Sequence, residues 1–189
     1  MSSSKAARLQ KVFPIDFEKF LPEQILKNYG KWVDRKFHGR GIIEHISETG
    51  DRIFTVKVGM PPNARMSADT LEKLIDIADR LGIGSIRITM AGNMEFLTDS
   101  LEKAYKIKEE VEKMGFPVGG WGRGLWGINS CTAFLTCQIA VVDAPSITKV
   151  IADALAPYFN EKELPAKLRI FVSGCPCACA GGTAIDIAV

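Results

Sequence analysis

The sequence predicts an α+β fold in two successive units, and three observations carry that prediction. From Gly41 to Gly115, strand-like and helix-like runs follow one another in the order β-β-α-β-β-α. Six glycines then crowd into Gly115–Gly127 and mark a change of organisation. Beyond them all five cysteines fall in two short stretches, SCTAFLTC and SGCPCACAGG, separated by one helical pattern and one strand pattern. The second unit therefore reads as a partial α/β domain that carries a thiol-rich centre.

Taken in order, Pro22–Val33 (PEQILKNYGKWV) predicts a short helix that stops near Gly30 and arms a neighbouring body. GIIEHISETGDRIFTVKV predicts two strands joined by a turn at Thr49-Gly50-Asp51. A helix is expected over Ser67–Leu81, with Leu71, Leu74, Ile75 and Ala78 on one face and Gly82 as its stop. Two short strands, Ser85–Thr89 and Met94–Leu97, flank Gly92-Asn93. A second helix is expected over Asp99–Met114, with Asp99 and Glu102 at capping-box spacing and Gly115 ending it. After the first cysteine pair, QIAVV reads as a strand. A helix follows over Pro145–Tyr158, with Pro145 at a tolerated first-turn position. Leu168–Val172 (LRIFV) is the strand that delivers the second cysteine loop. The closing AIDIAV reads as another strand, which suggests part of a longer chain.

Bulk properties narrow the function classes. The chain has 189 residues, 47% hydrophobic and 24% charged, with net charge +2, ordinary values for a globular protein with a real core. So small a charge, without interleaved basic and aromatic residues, argues against nucleic acid as a partner. No apolar run is long enough to cross a bilayer, so membrane insertion is not expected. The start, MSSSKAARLQKVFPIDF, lacks the apolar core of a secretory signal. An odd cysteine count, with every thiol beside small residues, argues against a disulfide framework and for a reducing, cytoplasmic setting.

The thiol spacing is C-x5-C, a long gap, then C-x3-C. It is not the C-x2-C knuckle of common zinc modules, nor the single crowded loop of small ferredoxins. Cys131, Cys137, Cys175 and Cys179 can form a four-thiolate set, while Cys177, in an extended loop, is expected to point away. A single buried cysteine is ordinarily a small hydrophobe, but four at this spacing are not so explained. Structural zinc competes with an iron–sulfur cluster, yet His38 and His45, the two histidines, both lie in the first unit. The second loop is almost all small residues, with Pro176 stiffening it and Gly181-Gly182 freeing its backbone, so N–H groups can approach sulfur. GRGLWG (Gly122–Gly127) matches G-x-G-x-x-G, but no strand precedes it and no helix begins there, so a nucleotide is not indicated. Lys167 and Arg169 share one face of the strand that enters the second loop and could bind an anion or a cofactor carboxylate; Arg87 invites the same reading. A solvated face is the alternative for all three.

The C-x5-C…C-x3-C pattern resembles the signature of the siroheme-containing sulfite and nitrite reductases. KNYGKW, GDRIFTVKVG, LEKLIDIADRLG with SIRITMAGNMEF, GFPVGG and LPAKLRIFVSGC together resemble the beta subunits of dissimilatory sulfite reductase, over roughly residues 22–189. The resemblance implies a ferredoxin-like half domain over 36–115, after an N-terminal helical arm over 1–35, and a siroheme/[4Fe-4S]-binding domain over 116–189. It implies reduction of sulfite to sulfide at a [4Fe-4S] cluster coupled to siroheme. Cys131, Cys137, Cys175 and Cys179 would hold the cluster, with Cys179 bridging to the siroheme iron. Arg87, Thr89 and Arg123 would bind the siroheme, and Lys167 and Arg169 would be catalytic cations. The family places an anion-binding arginine where Ala91 stands here, and another where Trp126 and Gly127 lie. That deficit implies an alpha subunit that completes the site in an α2β2 assembly, served by a small electron-donor protein. The other readings are an assimilatory-type sulfite or nitrite reductase relative and a zinc-stabilised binding module without activity.

Overall fold

A computed structural model describes residues 17–179, 181 and 184–189. The basic N-terminal stretch and Gly182 lie outside the described residues. Two sheets organise the chain. The first has five antiparallel strands in the order β1-β2-β3-β5-β4. These are β1 (Trp32–Phe37), β2 (Ile42–Ser47), β3 (Arg52–Gly59), β4 (Ile86–Thr89) and β5 (Asn93–Thr98). The second is parallel in the order β6-β7-β8: β6 (Leu125–Ser130), β7 (Leu168–Val172) and β8 (Ile187–Ala188).

Strand alternation gives the first sheet two unlike faces. Val56 pairs across with Ile42 and Phe96, and Val58 with Met94, so one row of apolar side chains faces one way. Helices α2 (Ala68–Arg80) and α3 (Leu101–Lys113) cover that face, where Leu74, Ile77, Ile107 and Val111 complete the core. The other face presents Thr55, Lys57, Leu97, Glu95 and Arg87, in register across β3, β5 and β4. In the second unit, helix α4 (Ala144–Asn160) connects the parallel pair β6 and β7. Its Phe159 packs with Leu125, Ile128 and Ile170. Asp143 caps α4 by accepting from the Ser146 N–H at 3.3 Å, with Pro145 in the first turn.

Several expectations change. The expected helix over Pro22–Val33 is a single turn, α1 (Glu23–Lys27). Gly30, at φ 75°, turns the chain, and Trp32–Phe37 pairs with β2 instead. A free sheet edge outweighed helical propensity here, and β1 runs through the expected arm boundary at residue 35. Phe116 and Val118, expected in the second unit, belong to the first core, and Val118 bridges to Val58. On α2 the buried stripe is Leu74, Ile77 and Ala78, while Leu71 and Ile75 are 40% and 52% exposed. The helix therefore sits about one residue round from the expected face. No capping box forms on α3. Its N-cap is Ser100, without a side-chain bond, and the Asp99 carboxylate pairs with Lys103 at 2.9 Å. QIAVV is not a strand; it joins the two cysteine loops, as described next.

Candidate metal centre

Parallel pairing of β6 with β7 sets Ser130 opposite Val172, so both strands deliver their loops at one sheet edge. Such C-terminal edges are where parallel α/β sheets build sites. Cys131 follows β6 directly, and its N–H donates to Val172 O at 3.2 Å. The Gly174 N–H donates to Cys131 Sγ at 3.1 Å. Gly174 O in turn accepts from the N–H groups of Val141 and Val142 at 2.8 and 3.3 Å. Val141 and Val142, at the end of QIAVV, thus spend their N–H groups lacing the first loop to the second and not in a sheet. Gly174 must lack a side chain, because a Cβ there would lie 2.8 Å from the Ala133 Cβ and 3.3 Å from Cys131 Sγ.

All five thiols are free, with Cys131, Cys137 and Cys175 half-buried and Cys177 and Cys179 exposed. Ala133 and Ala178 hold left-handed φ values of 41° and 44°, so both loops turn sharply. The second loop is a series of turns and not an extended run. Cys177 consequently does not point away from its neighbours. Its thiol pKa is pushed up, first by a hydrogen bond to Cys175 and further by the charges of Cys179 and Cys137. Among the described residues, no three His, Cys, Asp or Glu side chains close tightly enough to hold a single ion. A donor set of thiolates alone, with a backbone N–H on sulfur and small residues around it, fits an iron–sulfur group.

The expected cations separate. Arg169 is engaged: its N–H and Nε both bond Asp186 Oδ2, at 2.8 and 3.0 Å, and its Nη2 bonds Oδ1 at 3.0 Å. It is a brace between β7 and the segment entering β8, and not the free anion-binding group expected. Lys167 precedes β7 and lies 5.3 Å from the Trp126 ring centroid. Arg87 pairs with Glu95 at 3.0 Å on the face of the first sheet opposite its helices. A cavity of about 500 Å³ opens on that face between Arg87, Trp121 and the α1 region. Thr89 Oγ1 accepts the Asn93 N–H at 3.3 Å and serves the β4–β5 turn. Arg123 pairs with Glu163 at 3.3 Å on the exterior.

One group was missed in the sequence. Lys57, Trp121 and Trp126 meet where the glycine-rich segment crosses β3. Lys57 Nζ donates to Gly120 O at 2.9 Å and lies 5.0 and 4.6 Å from the Trp121 and Trp126 centroids. Burial lowers the Lys57 pKa to about 8; Glu95 acts against that and Arg87 adds to it. The available signal was the alternation in FTVKV, which places Lys57 on the face opposite Val56 and Val58.

Residues 45–114 match the nitrite/sulfite reductase ferredoxin-like half domain, and residues 121–189 the nitrite and sulphite reductase 4Fe-4S domain. The chain is similar to the dissimilatory-type sulfite reductase beta subunit of Archaeoglobus fulgidus, 36% identical over 183 residues, covering 93% of this chain and 50% of that one. The same subunit of Nitratidesulfovibrio vulgaris is 31% identical over 192 residues, covering 97% and 50%. That of Megalodesulfovibrio gigas is 30% identical over 188 residues, covering 95% and 71%. The chain thus spans about half the length of the first two relatives. A crystal structure of dissimilatory sulfite reductase I shares the fold, with TM-score 0.75 and 19% identity over 84% of this chain and 40% of that one. The chain belongs to the family of dissimilatory-type sulfite reductase beta subunits.

Proposed function

We propose that this chain forms the cluster-bearing part of a sulfite reductase beta subunit, reducing sulfite to sulfide at a [4Fe-4S] cluster coupled to siroheme. The observation that carries this reading is the lacing of the two cysteine loops, with the Gly174 N–H on Cys131 Sγ. Cys131, Cys137, Cys175 and Cys179 would hold the cluster, with Cys179 nearest the siroheme in this reading. When bound, the coupled pair supplies the successive electrons that the sulfur of sulfite must accept.

The chain's own residues prepare that chemistry. The Gly174 N–H withdraws electron density from the Cys131 sulfur and holds it in place. Lys167, whose ammonium lies over the Trp126 ring, would face the anion. Arg87 offers a guanidinium to a siroheme carboxylate by exchanging its partner Glu95. Arg169 braces the second loop from behind through Asp186. Because Ala91 stands where the family carries an anion-binding arginine, the remaining distal cations come from an alpha subunit in an α2β2 assembly. A small protein donates electrons, and the thiols are kept reduced in the cytoplasm.

The test is anaerobic co-expression with an alpha subunit, followed by metal, acid-labile sulfide and absorption analysis. Iron, sulfide and a siroheme band are expected. Stoichiometric zinc without a chromophore would overturn the reading. Cys177→Ser should keep the cluster and Cys179→Ser should lose it; the reverse would show that the ligand set is wrong.

A further inference from the structure

Two charged side chains are almost fully buried among the described residues, Glu44 and Lys57, each 3% exposed. Glu44 is compensated as expected, by His38 at 2.7 Å and Arg52 at 3.1 Å. Lys57 is not. Its ammonium has a single hydrogen-bond partner among the described residues, the Gly120 carbonyl, and otherwise faces two indole rings. An ammonium removed from water on these terms is held by its surroundings and constrains them in return.

The backbone around it is equally tied. The Lys57 N–H donates to Gly41 O at 2.7 Å, and Lys57 O accepts from the Gly119 N–H at 3.0 Å. Gly120 takes φ 78°, and a Cβ there would meet Phe159 Cε2 at 2.9 Å, so the segment can descend onto Lys57 only as glycine. Trp126 is fixed at its far end by its own Nε1–H, which donates to Gly122 O at 2.8 Å. Its carbonyl accepts Asn93 Nδ2 at 2.6 Å. Lys167 also lies over the Trp126 ring, at 5.3 Å. One indole therefore carries two lysines, one buried and one open to solvent.

We propose that Lys57 is a positioning residue for the anion-facing wall: its ammonium sets the angle between Trp121 and Trp126, and through Trp126 it sets where Lys167 is presented. This rests on the reading that Lys167 faces the anion. The charged groups around Lys57 are Glu95 from β5, directly opposite in register, and Arg87 from β4, one strand further. Lys167 is reached through Trp126, and the glycine segment meets the ammonium with the Gly120 carbonyl and the Trp121 ring. With its pKa lowered to about 8, Lys57 is charged below that pH and neutral above it, so the wall itself can be titrated.

The test uses the full chain with Trp32→Phe, which leaves Trp121 and Trp126 as the fluorophores. Indole emission should show one transition with a midpoint near 8. Lys57→Met and Lys57→Arg should both lose that transition, the first because no charge remains and the second because its charge persists. At neutral pH, Lys57→Arg should retain the parent's emission maximum and acrylamide quenching, whereas Lys57→Met should shift both. A transition that persists in Lys57→Met, or parental emission and quenching in that variant at neutral pH, would overturn the proposal. If Lys57→Met fails to fold by circular dichroism, the parent and Lys57→Arg titrations decide it. Loss of the siroheme band or of cluster iron from the co-expressed protein bears on the proposed function alone, because the fluorescence experiment needs neither group.

Discussion

Replacing Gly127 by alanine tests the junction between the two units most directly. Gly127 lies in β6 against the β4–β5 turn. A Cβ there would fall inside the Ala91 carbonyl oxygen, with the carbonyl carbon at 3.0 Å and Asn93 Nδ2 at 3.3 Å. No flexible side chain can yield, so the turn must retreat as a unit. Overpacking of this kind costs about 1–3 kcal/mol. The retreat also pulls Asn93, fully buried, from its 2.6 Å bond to Trp126 O. A buried polar group that loses its partner costs roughly another 1–3 kcal/mol. Restricting the unfolded chain returns about 0.4–1 kcal/mol. The net expectation is a loss of about 3 kcal/mol, which for a chain of this size lowers Tm by roughly 6–12 °C. Gly122→Ala is the control: nothing lies within 4 Å of its Cβ, and only its φ of 64° opposes the change. It should cost about 1–2 kcal/mol. Urea and thermal unfolding of both variants measure the difference. If Gly127→Ala loses no more stability than Gly122→Ala, the packed junction is wrong.

Two further outcomes follow from the geometry. Gly174→Ala should displace Cys131 Sγ and the Ala133 turn, reducing iron per chain while leaving far-ultraviolet circular dichroism nearly unchanged; full iron loading would contradict the lacing of the loops. His45 contacts Thr55 Oγ1 at 2.9 Å, and its pKa is lowered from 6.5, by burial first, with Glu95 opposing and Arg35 assisting. The unfolded chain then binds the proton more readily than the folded one. His45 therefore contributes stability above pH 6.5 that is lost as pH falls through its folded pKa. His45→Gln should flatten that part of the stability–pH profile, and an unchanged slope would remove His45 as its cause.

Much of the fold is legible in the sequence because local rules and burial agree there. The hairpin at Thr49-Gly50-Asp51, helix α2, helix α4 and strand β7 each combine a clear period with a matching cap or turn. The misreadings fall where long-range pairing decides. Trp32–Phe37 has no local signal that outweighs the preceding helical run, yet the open edge of β2 recruits it. Gln138–Val142 has a strand's composition, but the N–H groups of Val141 and Val142 go to Gly174 O, distant in the chain. Arg169 looks like a free cation until Asp186, seventeen residues on, is folded against it.

By itself, the sequence determines the β-β-α-β-β-α order from β2 to α3, the thiol-only donor set and its division between two loops. These depend on residue identity and short spacing, which the chain carries locally. Tertiary structure alone decides that Gly174 joins the two loops and that Lys57 lies between two indoles. Each of these is a contact between segments tens of residues apart, made when burial brings them together, and no local pattern encodes it.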